Sequence, residues 1–89
     1  MIAVEFAPSL RRHVECEPQA VAAGTLRAVL DAALRAAPKM AGYVFDDQRA
    51  IRKHVAVFVN EQMVHDRVHL TQPLHDGDRV LVIQALTGG

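Results

Sequence analysis

Residues 74–89 read "LHDGDRVLVIQALTGG". His75-Asp76-Gly77-Asp78 has the composition of a tight turn, with Gly77 able to take the positive φ that other residues avoid. From Arg79 the chain continues as "RVLVIQAL", apolar on both sides of an extended backbone. That pattern predicts a strand over residues 79–86 inside a sheet rather than at its edge. Thr87-Gly88-Gly89 follows directly. An interior strand that runs into paired glycines needs a reason, and the rest of the chain supplies the context for one.

A second two-sided strand precedes it, His54-Val55-Ala56-Val57-Phe58-Val59, with Ala56 and Phe58 on one face and Val55, Val57 and Val59 on the other. Asn60-Glu61-Gln62 reads as a turn, and Met63-Val64 as the start of a short return strand. At the other end of the chain, Ile2, Val4 and Phe6 alternate along a strand that Pro8 and Ser9 break. His13 to Glu17 alternates again, with Val14 and Cys16 on one face, so the two segments are expected to form a hairpin. The spacing of Leu26, Val29, Leu30, Ala33, Leu34 and Ala37 predicts an amphipathic helix from Thr25 to about Ala37. Thr25 is its N-cap and Pro38 its stop, while Arg27, Asp31 and Arg35 line its solvent side at i, i+4 spacing. Residues 39–53 hold either a short strand or a helical turn near Tyr43–Phe45 and are otherwise read as loop. The order β-β-α-(short element)-β-(short β)-β implies an α+β fold, with a mixed four- to five-stranded sheet and one main helix on one face.

Length and composition agree with a single domain spanning residues 1–89. Half of the 89 residues are hydrophobic (51%) and only 4% aromatic, which suits an aliphatic core. Ten basic residues balance ten acidic ones, so the chain lacks the charge footprint of a nucleic-acid binder. The densest basic run, "RAIRKH" at 49–54, reads as a docking patch for an acidic partner or a solvated strand entry. One cysteine excludes an internal disulfide framework. There is no secretory leader pattern at the N-terminus, and no apolar run nears the ~20 residues that span a bilayer. A cytoplasmic location, with no membrane partner, is expected.

The pattern resembles the ubiquitin-like β-grasp fold, and within it the MoaD/ThiS sulfur-carrier family. "LHDGDRVLVIQALTGG" is similar to that family's L-x-D-G-D-x-V-x-I followed by terminal Gly-Gly, and "HVAVFVNEQMV" to its strand-plus-Asn turn. "SLRRH", "TLRAVLDAAL" and "RKHVAVFVNEQMV" resemble segments of the cysteine-biosynthetic carriers, the CysO subgroup. The family's proline shortly after the Ile is missing: Ile83 is followed by Gln84-Ala85, which leaves the rigidity of the tail open.

The resemblance implies a carrier rather than an enzyme. The Gly89 carboxylate would be adenylated by an E1-like enzyme that uses ATP, then converted to a thiocarboxylate that donates sulfur in biosynthesis of cysteine, thiamin, molybdopterin or a related metabolite. The resemblance also implies that residues 86–89 protrude from the domain as a tail. Gly88 and Gly89 lack Cβ and make the slimmest thread for a closed site, and Leu86, Thr87 and Gly88 would contact the partner. No phosphate-cradling loop or nucleophile–base pair is found, so no bound cofactor is expected. Alternatives are the small subunit of a molybdopterin-synthase-type complex, and a ubiquitin-like modifier conjugated through Gly89. The apolar sheet face that carries Phe58 is either the docking surface for the activating enzyme or is covered by residues 39–53. Cys16 reads as core, Asp76 and Asp78 as turn residues, and His65 and His69, four apart between strand signals, do not make a metal site.

Overall fold

The computed structural model describes residues 1–12 and 14–84. Five strands, β1 (Ile2–Phe6), β2 (Gln19–Val21), β3 (Val55–Val59), β4 (Gln62–Met63) and β5 (Arg79–Gln84), form one mixed sheet in the order β2-β1-β5-β3-β4. Helices α1 (Pro8–Arg11), α2 (Leu26–Leu34) and α3 (Pro38–Val44) complete the fold. β5 lies at the centre, parallel to β1 and antiparallel to β3. Its register sets Val80 and Val82 beside Val4 and Phe6 on one side and beside Val59 and Val57 on the other. This row buries against Leu26, Val29, Leu30, Ala33 and Leu34 of α2 and Met40 and Val44 of α3.

Thr25 caps α2 as its sequence suggests: its hydroxyl accepts a 3.2 Å bond from the Ala28 N–H. The helix closes at Leu34, earlier than the apolar spacing predicts. The residue before a proline is pushed out of the helical region, and Ala37 (φ −141°, ψ 74°) is the residue that gives way. Pro38 then opens a new helix at its first turn, where its missing N–H costs nothing. Residues 38–44 are therefore helical, not loop, and Met40 and Val44 are fully buried. They add a second helix to the face that α2 covers.

The second strand is also not where alternation suggested. β2 is Gln19–Val21, pairing antiparallel with β1 through Ile2↔Val21 and Val4↔Gln19. Pro8 does more than end β1: it starts α1, and the chain needs residues 12–18 to return to the sheet edge. Val14 and Cys16 do face the core, Cys16 being 5% exposed, but from irregular backbone. The alternation reported burial correctly and pairing incorrectly; His13 lies outside the described residues. The expected support among Arg27, Asp31 and Arg35 is replaced by longer contacts. Arg27 donates to the carbonyls of Arg49 (2.7 Å) and Val68 (2.6 Å) and stands 5.2 Å from the Phe45 ring centroid. Asp31 pairs instead with Arg49 at 2.5 Å.

Candidate docking face and strand terminus

β1 departs from the sheet after Phe6, its last rung being the Ala7 N–H on the Val82 carbonyl at 2.8 Å. Beyond that point α1 takes over the flank of β5. The Ser9 hydroxyl accepts the Gln84 N–H at 3.3 Å, so a side chain continues where the neighbouring strand stops. On the other flank Gln84 is opposite Val55, the first residue of β3. The last described rung of β5 is thus held from both sides. Gly89, Gly88, Thr87 and Leu86, the predicted reactive and partner-contacting residues, lie outside the described residues, as do positions 85 and 86 of the strand expected over 79–86.

The opposite end of β5 is fastened by the Asp-Gly-Asp turn. Gly77 adopts φ 94° there, the positive value that the turn reading required. The Asp78 carboxylate accepts from the His75 N–H (2.8 Å) and from the Asn60 amide (2.9 Å), while the Asn60 carbonyl oxygen accepts from the Arg79 N–H (2.9 Å). These donors hold the Asp78 carboxyl below the ordinary aspartate range, the His75 N–H first and the Asn60 amide second. Asp76 is held low by the amino group of Met1, 2.8 Å away. Asp76 and Asp78 are turn residues, and Asp78 joins this turn to the β3–β4 turn. Asn60 (φ 49°) and Glu61 (φ 71°) form that turn, the left-handed pair whose twist matches a two-residue hairpin.

The face of the sheet away from the helices is open. Ala3 and Glu5 of β1, Leu81 and Ile83 of β5, and Phe58 of β3 line one side of a groove of about 420 Å³. Register sets Glu5, Leu81, Phe58 and Met63 in one cross-strand row. Leu81 is 38% exposed and Met63 48%, values that mark a surface left uncovered among the described residues. Ala56, opposite Ile83, stays outside the main core cluster although its neighbours Val55 and Val57 belong to it. The two-sided apolar pattern of β3 and β5 therefore has two causes: one face builds the core and the other builds this groove. Residues 39–53 contribute nothing to its lining, because α3 packs on the helical side. Glu5, Glu61 and Arg79 give the groove a charged rim. A second concavity of about 510 Å³ lies beside α2 and α3, but the Asp31–Arg49 ion pair occupies its wall.

Cys16 is buried, and that burial pushes its thiol up from the ordinary value, with Glu17 adding to the effect. Asp66, between the two histidines, is occupied with backbone: it accepts from Val68 and His69 N–H, which lowers its carboxyl.

The ThiS family model matches residues 5–89 of the chain, so the match takes in both the locked turn and the strand that leads away from it. The chain belongs to the ThiS family of ubiquitin-like sulfur carriers. Members of the family are small carrier proteins rather than enzymes. Solved structures agree on the fold. SAMP1 from Haloferax volcanii superposes with a TM-score of 0.78 at 20% identity, covering 99% of this chain and 98% of that one. The BexX/CysO complex of Amycolatopsis orientalis holds a chain with TM-score 0.74 and 21% identity, each covered in full (100%). The complex of subunits 1 and 2 of the molybdopterin-converting factor from Helicobacter pylori holds one with TM-score 0.63 and 20% identity, covering 99% of this chain and 97% of that one. At such identities the likeness establishes the β-grasp fold and does not sort the chain among the family's subgroups. No curated protein sequence matches the chain.

Three contacts escaped the sequence reading. The Ser9–Gln84 bond and the Arg27 clamp join residues 75 and 41 positions apart, and no local pattern announces either. The Asn60–Asp78 bond had a signal, since both residues sit in recognisable turns, but nothing in either turn names the other.

Proposed function

We propose that this protein carries sulfur as a thiocarboxylate on the carboxyl group of Gly89. The reading rests on one observation: the family match runs through Gly88-Gly89, and the strand leading there is the central strand of the sheet. A carboxylate is a poor electrophile. An E1-like enzyme would let it attack the α-phosphate of ATP, forming an acyl adenylate and releasing pyrophosphate. Hydrosulfide then attacks the acyl carbon, AMP leaves with the bonding electron pair, and –COSH remains. The thiocarboxylate passes its sulfur to a biosynthetic enzyme of the cysteine, thiamin, molybdopterin or a related pathway. The chain's own contribution is presentation: two glycines pass a narrow entrance, while a strand bonded on both flanks keeps their base in place. ATP belongs to the activating enzyme, and the carrier binds no cofactor of its own.

The activating enzyme docks on the open sheet face. Phe58, Leu81 and Ile83 offer it an apolar concavity, and an uncovered apolar patch of this kind marks a partner surface. Intact-mass measurement after co-expression with the activating enzyme tests the carrier reading. The expected product has one C-terminal oxygen replaced by sulfur, and a chain lacking Gly89 stays unmodified while folding normally. An unchanged mass in the full chain refutes the reading. The likeness to the H. pylori complex favours a second reading, a permanent small subunit, which a stable co-purifying heteromer would support. The likeness to SAMP1 favours a third, a protein modifier, for which covalent conjugates to lysines of other proteins are the required sign.

A further inference from the structure

We propose that Arg11, Arg12 and Lys53 form a basic collar at the end of β5, which docks against an acidic rim around the entrance to the adenylating enzyme's site. The inference rests on the carrier reading above and adds to it a second contact, distinct from the apolar sheet face.

The collar follows from topology. Ser9 bonds Gln84 on one flank of β5, and Arg11 and Arg12 stand two and three residues beyond it at the end of α1. On the other flank Val55 pairs with Gln84, and Lys53 lies in the turn just before Val55. Three cations from two distant segments therefore bracket the last described rung. All three are exposed, and none makes an ion pair among the described residues. Their basic neighbours are occupied in the fold: Arg52 donates to the Gly42 carbonyl, and Arg67 to the carbonyls of Arg52 and Val55. Glu15 and Glu17, exposed on the irregular lead into β2, make no ion pair with the collar among the described residues. Glu61, Asp76 and Asp78 gather at the other end of the sheet. The Gln84 end of β5 therefore carries unpaired cations, whereas at its start the Asp76 carboxylate is paired with the Met1 amino group and Glu61 and Asp78 stand near Arg79.

Distance selects the occupant. The five residues after Gln84 span at most ~17 Å, well beyond the reach of an arginine side chain from α1. With Gly89 at the nucleotide, the collar meets the protein surface around the entrance rather than the ATP phosphates. Complementary charge there guides a tail-first encounter, raising the association rate in a salt-dependent way.

Two measurements on the full chain test the collar. In the first, the adenylating enzyme of the source cell is isolated by its carrier-dependent ATP–pyrophosphate exchange. Reversal of all three charges (Arg11→Glu, Arg12→Glu, Lys53→Glu) should lower kcat/KM for exchange about tenfold at low salt, leave kcat unchanged and remove the salt dependence. Reversal of Arg35 and Lys39, exposed cations on the helical side, should leave all of these within about twofold of wild type. A collar variant that behaves like wild type, or a helical-side variant that falls equally, overturns the proposal. In the second, an octaglutamate peptide is titrated into the labelled protein and backbone amide shifts are followed. Shifts confined to residues around 9–12, 53–55 and 84, and abolished by salt, support the collar; shifts spread over Arg27, Arg35, Lys39 and Arg49 overturn it. This arm needs no enzyme, so failure of the carrier reading (no exchange with the wild-type chain) is distinguishable from failure of the collar.

Discussion

Replacing Asn60 by alanine should cost the fold about 2–5 kcal/mol, and the pieces of that figure can be separated. The Asn60 amide donates to Asp78 at 2.9 Å and its carbonyl oxygen accepts from the Arg79 N–H at 2.9 Å. Each bond contributes roughly 0.5–1.5 kcal/mol net. Asn60 also sits at φ 49°, where alanine pays about 1–2 kcal/mol that asparagine largely avoids. Asn60→Gly loses both bonds but escapes the conformational cost, so it should retain about 1 kcal/mol more stability than Asn60→Ala. Asn60→Asp keeps the acceptor for Arg79 and sets two carboxylates face to face, so its deficit should shrink as acid protonates one of them. Urea unfolding followed by circular dichroism measures all three. At a slope near 1 kcal/mol per M, expected for a small domain, Asn60→Ala lowers the midpoint by about 2–5 M with an unchanged slope. Equal losses in the Gly and Ala variants would refute the conformational half of the reasoning. Losses below about 0.5 kcal/mol in both would refute the lock itself.

Arg27→Met should destabilise by about 2–3 kcal/mol in the same assay, because it removes two bonds to carbonyls and the contact with the Phe45 ring; Arg27→Lys, which cannot span both carbonyls, should recover less than half of the loss. Stability should fall in acid. Asp66, Asp76 and Asp78 all have folded-state carboxyls below the ordinary 3.8, so their contribution is present above that value and disappears as pH drops through the lower, folded ones. Urea midpoints measured from pH 5 to pH 2 should trace this decline, with a shallower acid limb in Asp78→Asn. Cys16, buried and with its thiol pushed up, should react with a thiol reagent at pH 8 far more slowly in the native protein than in urea; comparable rates would contradict its place in the core.

Much of the fold was legible because periodicity reports burial. The spacing in α2 and the alternation in β1 map directly onto the residues that meet in the core. The two-sided apolarity of β3 and β5 also placed them inside the sheet, and it correctly implied more apolar surface than the helices on one face could cover. What burial cannot report is pairing. Val14 and Cys16 face the core from irregular backbone, so their alternation imitated a strand that lies at Gln19–Val21 instead. Proline misled in a related way. Pro8 and Pro38 were read as terminators, yet each begins a helix, since the residue type that ends one element is well suited to the first turn of the next. Of the candidate site, Phe58 is found in the open groove, while Leu86, Thr87, Gly88 and Gly89 lie outside the described residues. The contacts that frame the site, Ser9 with Gln84 and Asn60 with Asp78, join distant segments, and only the three-dimensional register discloses them.

The central position of β5 has a mechanical side. Any pull on the chain beyond Gln84 enters the sheet along its middle strand, which is laddered to β1 on one edge and β3 on the other. Such a load runs parallel to the strands, so the rungs on both edges share it at once rather than opening one at a time. The Asn60–Asp78 junction anchors the far end of the same strand. A machine that grips the tail, whether to draw it into a site or to unravel the domain for destruction, therefore meets the toughest line in the molecule first. A hold on the N-terminal side of β2, an edge strand of three residues bonded along one side only, would open the sheet far more cheaply.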